Sequence, residues 1–110
     1  VTNNADRVLI DTSGHLLVGK TATGIATVGA ELKATGELLA TVNNDACAFL
    51  NRTTSDGDIV VFRKNNTNVG LIGVDFNTEF YVGGGGGGFY INTNKIRPTI
   101  GNSIESIINK

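Results

Sequence analysis

Apolar residues along this chain come in short runs separated by polar turn clusters. Arg7 to Asp11 and His15 to Lys20 read as two extended runs joined by Thr12-Ser13-Gly14, a hairpin pattern. Ala30 to Lys33 and Glu37 to Thr41 flank a second Thr-Gly turn at Thr35-Gly36, so Ser13 to Val18 (SGHLLV) is echoed 22 residues later by Thr35 to Ala40 (TGELLA). Asn43-Asn44-Asp45 breaks the pattern. Ala46 to Arg52 and Asp58 to Lys64 are then predicted strands separated by Thr53 to Gly57, in which Asp56-Gly57 marks a turn because both residues tolerate positive φ. Asn65 to Asn68 is a further turn, followed by strands at Val69 to Val74 and Thr78 to Val82. Six consecutive glycines, Gly83 to Gly88, lead into Phe89-Tyr90-Ile91 and read as a loop, since glycine loses the most conformational entropy on ordering. Lys95 to Ile100 is a last strand, and Ile104, Ile107 and Ile108 carry helical spacing that predicts a short C-terminal helix within Asn102 to Lys110.

Several of these strands are apolar at consecutive positions: Val60-Val61-Phe62, Leu38-Leu39 and Leu16-Leu17. Side chains then stand on both faces, and both faces need cover. A single chain answers this with a sandwich, several chains with an intertwined β structure in which neighbours supply the missing face. Gly70 and Gly73, inside an otherwise apolar strand, favour the second answer, because glycine in a strand marks a close approach by another group.

Composition sharpens the picture. Gly (15), Asn (13) and Thr (13) fill 41 of 110 positions, Met, Trp and Gln are absent, and Pro occurs once, a mixture poor in helix formers. The fold class expected is all-β. Leu, Ile, Val and Phe total 33 residues, above the roughly 20% that marks disorder. No apolar run approaches the ~18 residues of a membrane-spanning helix. The net charge of −1, from 9 basic and 10 acidic residues, offers no footprint for nucleic acid or an anionic membrane. Neither partner is expected. The lack of any Met points to a processed chain or a piece of a longer one.

The stretch Gly36 to Val74, with its flanks, resembles the shaft of bacteriophage tail fibres and tailspikes that precedes a self-cleaving intramolecular chaperone, as in endosialidase stalks. The residues that carry the resemblance are Asp11-Thr12-Ser13-Gly14 followed by Leu17-Val18-Gly19-Lys20, the Asn51-Arg52 to Asp56-Gly57 turn, the Phe62-Arg63 strand end, and Val69-Gly70-Leu71-Ile72. They span Arg7 to Val74. The resemblance implies an intertwined homotrimeric fibre, a triple-stranded β-helix or β-prism, with residues 1–82 as shaft and residues 83–110 as a glycine-rich loop and C-terminal tip. It further implies a virion protein of the phage tail, assembled in the host cytoplasm, that joins other tail-fibre segments and meets a host cell-surface polysaccharide or receptor. Ile91 to Pro98 is similar to the segment leading to the chaperone junction, but the tryptophan-containing motif and the chaperone start are missing.

Candidate chemistry is sparse. Cys47, the single cysteine, lies between Ala46 and Ala48-Phe49 and reads as a small buried hydrophobe. His15 is the single histidine; no catalytic triad or metal cluster assembles around it, and a strand-edge role outweighs a metal site shared by three copies. Asp56 and Asp58 flank a glycine, yet the further ligands of a calcium loop are missing. Asn51-Arg52-Thr53 and Asn65-Asn66-Thr67 match the glycosylation sequon, as an Asn- and Thr-rich chain does by chance. No catalytic residue, metal or cofactor is expected. Phe80, Tyr81, Phe89 and Tyr90 bracket the glycine run, and of these Tyr81, Phe89 and Tyr90 are the candidate ligand contacts, because aromatics beside glycine form sugar-stacking surfaces. The competing reading makes the four rings a hydrophobic plug of a trimer. A trimeric polysaccharide depolymerase of the hyaluronate-lyase kind, with an intersubunit site, and a monomeric β-sandwich carbohydrate-binding module stand as the alternatives to a structural and adhesive segment.

Overall fold

The computed structural model describes residues 7–84, 86–100 and 103–104, and these form ten strands in two antiparallel sheets, each within its own unit; the division falls between Phe49 and Leu50. The all-β expectation holds. The boundary drawn from the sequence between Val82 and Gly83 instead falls inside a strand.

The first sheet holds β1 (Val8–Ile10), β2 (Leu16–Val18), β3 (Gly29–Leu32) and β4 (Leu38–Thr41) in sequential order. The 22-residue echo is a structural repeat: β1–β2 and β3–β4 are hairpins closed by the same turn. Gly14 N–H donates to Asp11 C=O at 3.0 Å and Gly36 N–H to Lys33 C=O at 2.8 Å, while Asp11 N–H reaches His15 C=O and Lys33 N–H reaches Glu37 C=O. Both loops end on a left-handed glycine, with φ of 82° at Gly14 and 96° at Gly36, as three-residue hairpins require.

One transverse row of this sheet runs Leu9, Leu17, Glu31, Leu39. A carboxylate among leucines demands a partner, since an unpaired buried charge is strongly unfavourable. The β2–β3 connection supplies it. Lys20 Nζ donates to Glu31 Oε2 at 2.9 Å and to Gly24 C=O at 2.8 Å, and Gly24 N–H donates to the same carboxylate oxygen at 2.9 Å. Lys20, Glu31 and Leu17 are buried, and Leu17 is the one buried apolar side chain among the described residues.

Asn43 to Ser55 carries no strand, contrary to the strand predicted at Ala46 to Arg52. Among the described residues no strand pairs with it: Phe49 is 81% exposed and Cys47 is exposed, so the cysteine is not the buried hydrophobe its apolar neighbours predicted. An apolar run becomes a strand only where a partner edge is offered.

The second sheet holds β5 (Gly57–Lys64), β6 (Thr67–Asp75), β7 (Glu79–Gly84), β8 (Gly87–Ile91), β9 (Ile96–Ile100) and β10 (Ser103–Ile104), again in sequential order. Asn65 and Asn66, with φ of 47° and 65°, make the two-residue turn between β5 and β6, where Lys64 faces Thr67. The glycine run is largely sheet rather than loop: Gly83 pairs with Gly88 and Gly84 with Gly87. A Cβ on Gly84 would meet the Val69 carbonyl oxygen at 2.3 Å and one on Gly88 the Val82 carbonyl oxygen at 2.5 Å, so these strands lie too close for any side chain. The predicted C-terminal helix falls mostly outside the described residues; the described part, Ser103–Ile104, is strand paired with β9.

Pairing register sorts the second sheet into two unlike faces, because cross-strand partners share a face and neighbours along a strand alternate. One face carries Phe62, Val60, Ile72, Val74, Val82, Phe80, Phe89, Ile91, Pro98 and Ile96. Each of these positions is apolar, and among the described residues of this unit no second layer packs on them: Phe62 and Phe89 are each 51% exposed and Phe80 is 46% exposed. The other face carries Asp58, Asp75, Glu79, Tyr81, Tyr90 and Arg97. No helix among the described residues is long and apolar enough to cross a membrane.

Candidate functional site

The polar face of the second sheet concentrates the chain's distinctive side chains. Tyr81 on β7 and Tyr90 on β8 are direct cross-strand partners with ring centroids 5.5 Å apart. On β6 the position opposite Tyr81 is Gly73, and the ring needs that glycine: a Cβ there would lie 2.9 Å from the Tyr81 ring and 2.4 Å from the Gly57 carbonyl oxygen. Tyr81 thereby crosses β6 and donates its phenolic proton to Asp58 on β5. The close approach that Gly73 signals in the sequence comes from the chain itself, from Tyr81 and the β5 backbone.

Tyr90 donates to Asp75 Oδ2 at 3.1 Å, and the other oxygen of the same carboxylate accepts the Phe76 N–H at 2.9 Å. Phe76 and Asn77 form the β6–β7 turn with φ of 48° and 64°. A phenylalanine in the left-handed region is rare, since its Cβ is crowded there. Here the Asp75 cap and the Thr78 N–H to Asp75 C=O bond at 3.2 Å hold it, and the Phe76 ring stands 6.2 Å from Tyr90. On the other side of Tyr90, the Arg97 guanidinium sits 5.9 Å from the ring centre, a cation–π distance. Arg97 is itself paired with Glu79, which also accepts a hydrogen bond from Asn92 Nδ2 at 3.0 Å.

Electrostatics follow from this geometry. Burial first, and then the hydrogen bond and charge of Asp58, push the Tyr81 phenol up to about 12; burial and Asp75 likewise raise Tyr90. Both phenols therefore stay protonated at neutral pH, with their protons committed to carboxylates. Phenols so held stack and position; they do not serve as bases near pH 7.

Beside the two rings lies a groove of ≈ 390 Å³ whose floor includes Gly83, Gly84 and Gly86 to Gly88, with Thr99, Asp75 and Asp56 on its walls. Asp56 is held by the Asn77 N–H, 3.0 Å from Oδ2. The Asn51-Arg52 to Asp56-Gly57 motif turns out to be a staple at its border. Arg52 donates to the carbonyls of Ser55 (2.8 Å) and Asp58 (3.0 Å), and fills the space a Gly57 side chain would need.

All three ligand contacts expected from the sequence line the groove: Tyr81 and Tyr90 meet on the polar face, while Phe89 shares the register of Phe80 on the apolar one. Alternation decides this, and the sequence contained the signal in the single-residue spacing of Phe89 and Tyr90. Phe76 and Asp75 carry no local mark in the sequence, and Asp58, weighed there only in a calcium pattern, takes its part through a contact 23 residues away. His15 takes a structural part: its Nδ1 accepts the Ala34 N–H at 2.9 Å, stitching the two repeated turns together. Among the described residues no cluster of three or more His, Cys, Asp or Glu side chains is arranged to hold a metal ion. No family model, curated protein or solved structure matches the chain.

Proposed function

We propose that this chain is a structural and adhesive segment of a homotrimeric phage tail fibre or tailspike. One observation carries the reading: the second sheet exposes a continuous apolar face, including Phe62, Phe80 and Phe89, and no described residue covers it. Uncovered apolar area of this kind is unfavourable in water and marks an association surface. The paired positions of this face, from Val60 to Ile96, are apolar, which suits a second copy of the same face as the cover. Three copies turning these faces to a common axis make a β-prism with the tyrosine-bearing faces outward.

The sequence likeness to fibre shafts across Arg7 to Val74 supports the same assembly. On this reading the segment belongs on the virion, joined to other fibre segments, with its outward face toward a host surface glycan or receptor. The protonated, carboxylate-bound phenols fit a binding role better than acid–base chemistry. Light scattering on the purified chain tests the assembly. A trimer that persists until the fold melts is expected, and a stable folded monomer would overturn the proposal.

A further inference from the structure

The geometry points to the row Phe76, Tyr90 and Tyr81, with the glycine-floored groove beside it, as a stacking site for an uncharged pyranose glycan. This deepens the adhesive reading above and rests on it. Three features of the polar face converge. First, the rings are contiguous, Phe76 to Tyr90 at 6.2 Å and Tyr90 to Tyr81 at 5.5 Å, tilted by 55° and 38° so that successive rings meet a twisted rather than a flat chain of sugars. Apolar faces of pyranoses pack on such rings, while hydroxyls seek polar groups at the edges.

Second, the polar groups are prearranged. Asp75 and Asp58 are fixed by the phenols they accept from, and each carboxylate keeps lone pairs that sugar hydroxyls satisfy. The groove floor is glycine, so a ligand reaches the backbone unobstructed. Third, Phe76 is held at φ 48° with its ring 60% exposed. Strain and solvent exposure of a large aromatic are both unfavourable to the fold and are explained together if the ring meets a ligand.

The charge pattern selects the ligand class. Asp56, Asp58 and Asp75 border the site; of the cations beside it, Arg97 is already paired with Glu79, and the Arg52 guanidinium donates to the Ser55 and Asp58 carbonyls and the Ser55 hydroxyl, so the carboxylates outnumber it. A uronate or sialate would meet uncompensated negative charge.

Because the chain has two tyrosines and no tryptophan, its intrinsic fluorescence reports on this site alone. The test titrates the chain with chitotetraose, maltotetraose and a hyaluronan tetrasaccharide, and repeats it with Tyr90→Ala and Phe76→Gly. Glycine suits the positive φ at position 76, so Phe76→Gly keeps the turn and removes only the ring.

A saturable fluorescence change is expected with at least one neutral sugar and not with hyaluronan, with affinity falling by about tenfold or more in each variant. No response to either neutral sugar, preference for hyaluronan, or unchanged affinity in Phe76→Gly would overturn the inference. Light scattering on the same samples separates the two proposals: a trimer that ignores glycans removes this inference alone, whereas a folded monomer removes the fibre reading.

Discussion

The Tyr90 phenol donates to the Asp75 carboxylate at 3.1 Å, joining β8 to β6 across the intervening β7. Tyr81 and Asp58 repeat the motif one strand over, from β7 across β6 to β5. Each tyrosine thus spans a neighbouring strand and locks a pair that is not adjacent in the sheet. A single-layer sheet gains lateral rigidity from such struts.

Both tyrosines should titrate late. In the folded chain, tyrosinate absorbance is expected to show no transition at 10, the ordinary value, and one group near 12. A folded pKa raised above the unfolded one gives stability that is complete below pH 10 and lost as pH climbs toward 12. Melting temperature should fall over that window. Asp58→Asn should move the Tyr81 transition part of the way back toward 10, since burial is the larger cause.

The first unit should lose stability at the acid end. Glu31 is held below its ordinary value of 4.5, chiefly by the Lys20 hydrogen bond and then by the Gly24 N–H. A depressed carboxylate contributes stability that is present above the unfolded pKa and disappears as pH falls through the folded one. Circular dichroism melts should therefore decline from about pH 4.5 downward, and Glu31→Gln should flatten that decline while lowering stability at neutral pH, because Lys20 is left buried without its counter-charge.

Gly73→Ala should disrupt the site and the sheet together. The added methyl meets the Gly57 carbonyl oxygen at 2.4 Å and the Tyr81 ring at 2.9 Å, so ring or backbone must move. A loss of about 1–3 kcal/mol in denaturant unfolding is expected from such overpacking. Displacement of the phenol from Asp58 should appear as a Tyr81 titration shifted toward 10.

Leu17→Ala tests the first unit's core. Leu17 is its buried apolar side chain, and truncation should cost about 2–5 kcal/mol by denaturant titration.

Phe89→Lys tests the association face. Phe89 is half exposed in the single chain, so a lysine there barely perturbs an isolated sheet but would place a charge in the interface proposed above. Light scattering should show the oligomer dissociating, while circular dichroism retains β structure; an unchanged oligomer would argue that this face is not the one that associates.

Much of the architecture is legible in the residues. The Gly, Asn and Thr content disfavours helix, and the turns at Gly14, Gly36 and Asn65-Asn66 follow from residues that accept positive φ locally, whereas at the expected Asp56-Gly57 turn Gly57 instead opens β5. Strand identity was legible wherever a neighbouring run followed in sequence, since all pairing here is between consecutive strands. Ala46 to Arg52 departs from that logic: its apolar content predicts a strand, and no described strand pairs with it.

Register and face are what the tertiary structure decided. A two-residue period says that Phe89 and Tyr90 point oppositely, but which face collects carboxylates depends on how five hairpin registers add up across the second sheet. The same sum gathers ten apolar side chains on one face and leaves it bare. Pairing between consecutive strands is local chemistry that the sequence determines by itself. The meeting of Asp58 with Tyr81, or of Asp75 with Tyr90, is a product of accumulated geometry, and no short stretch of sequence contains it.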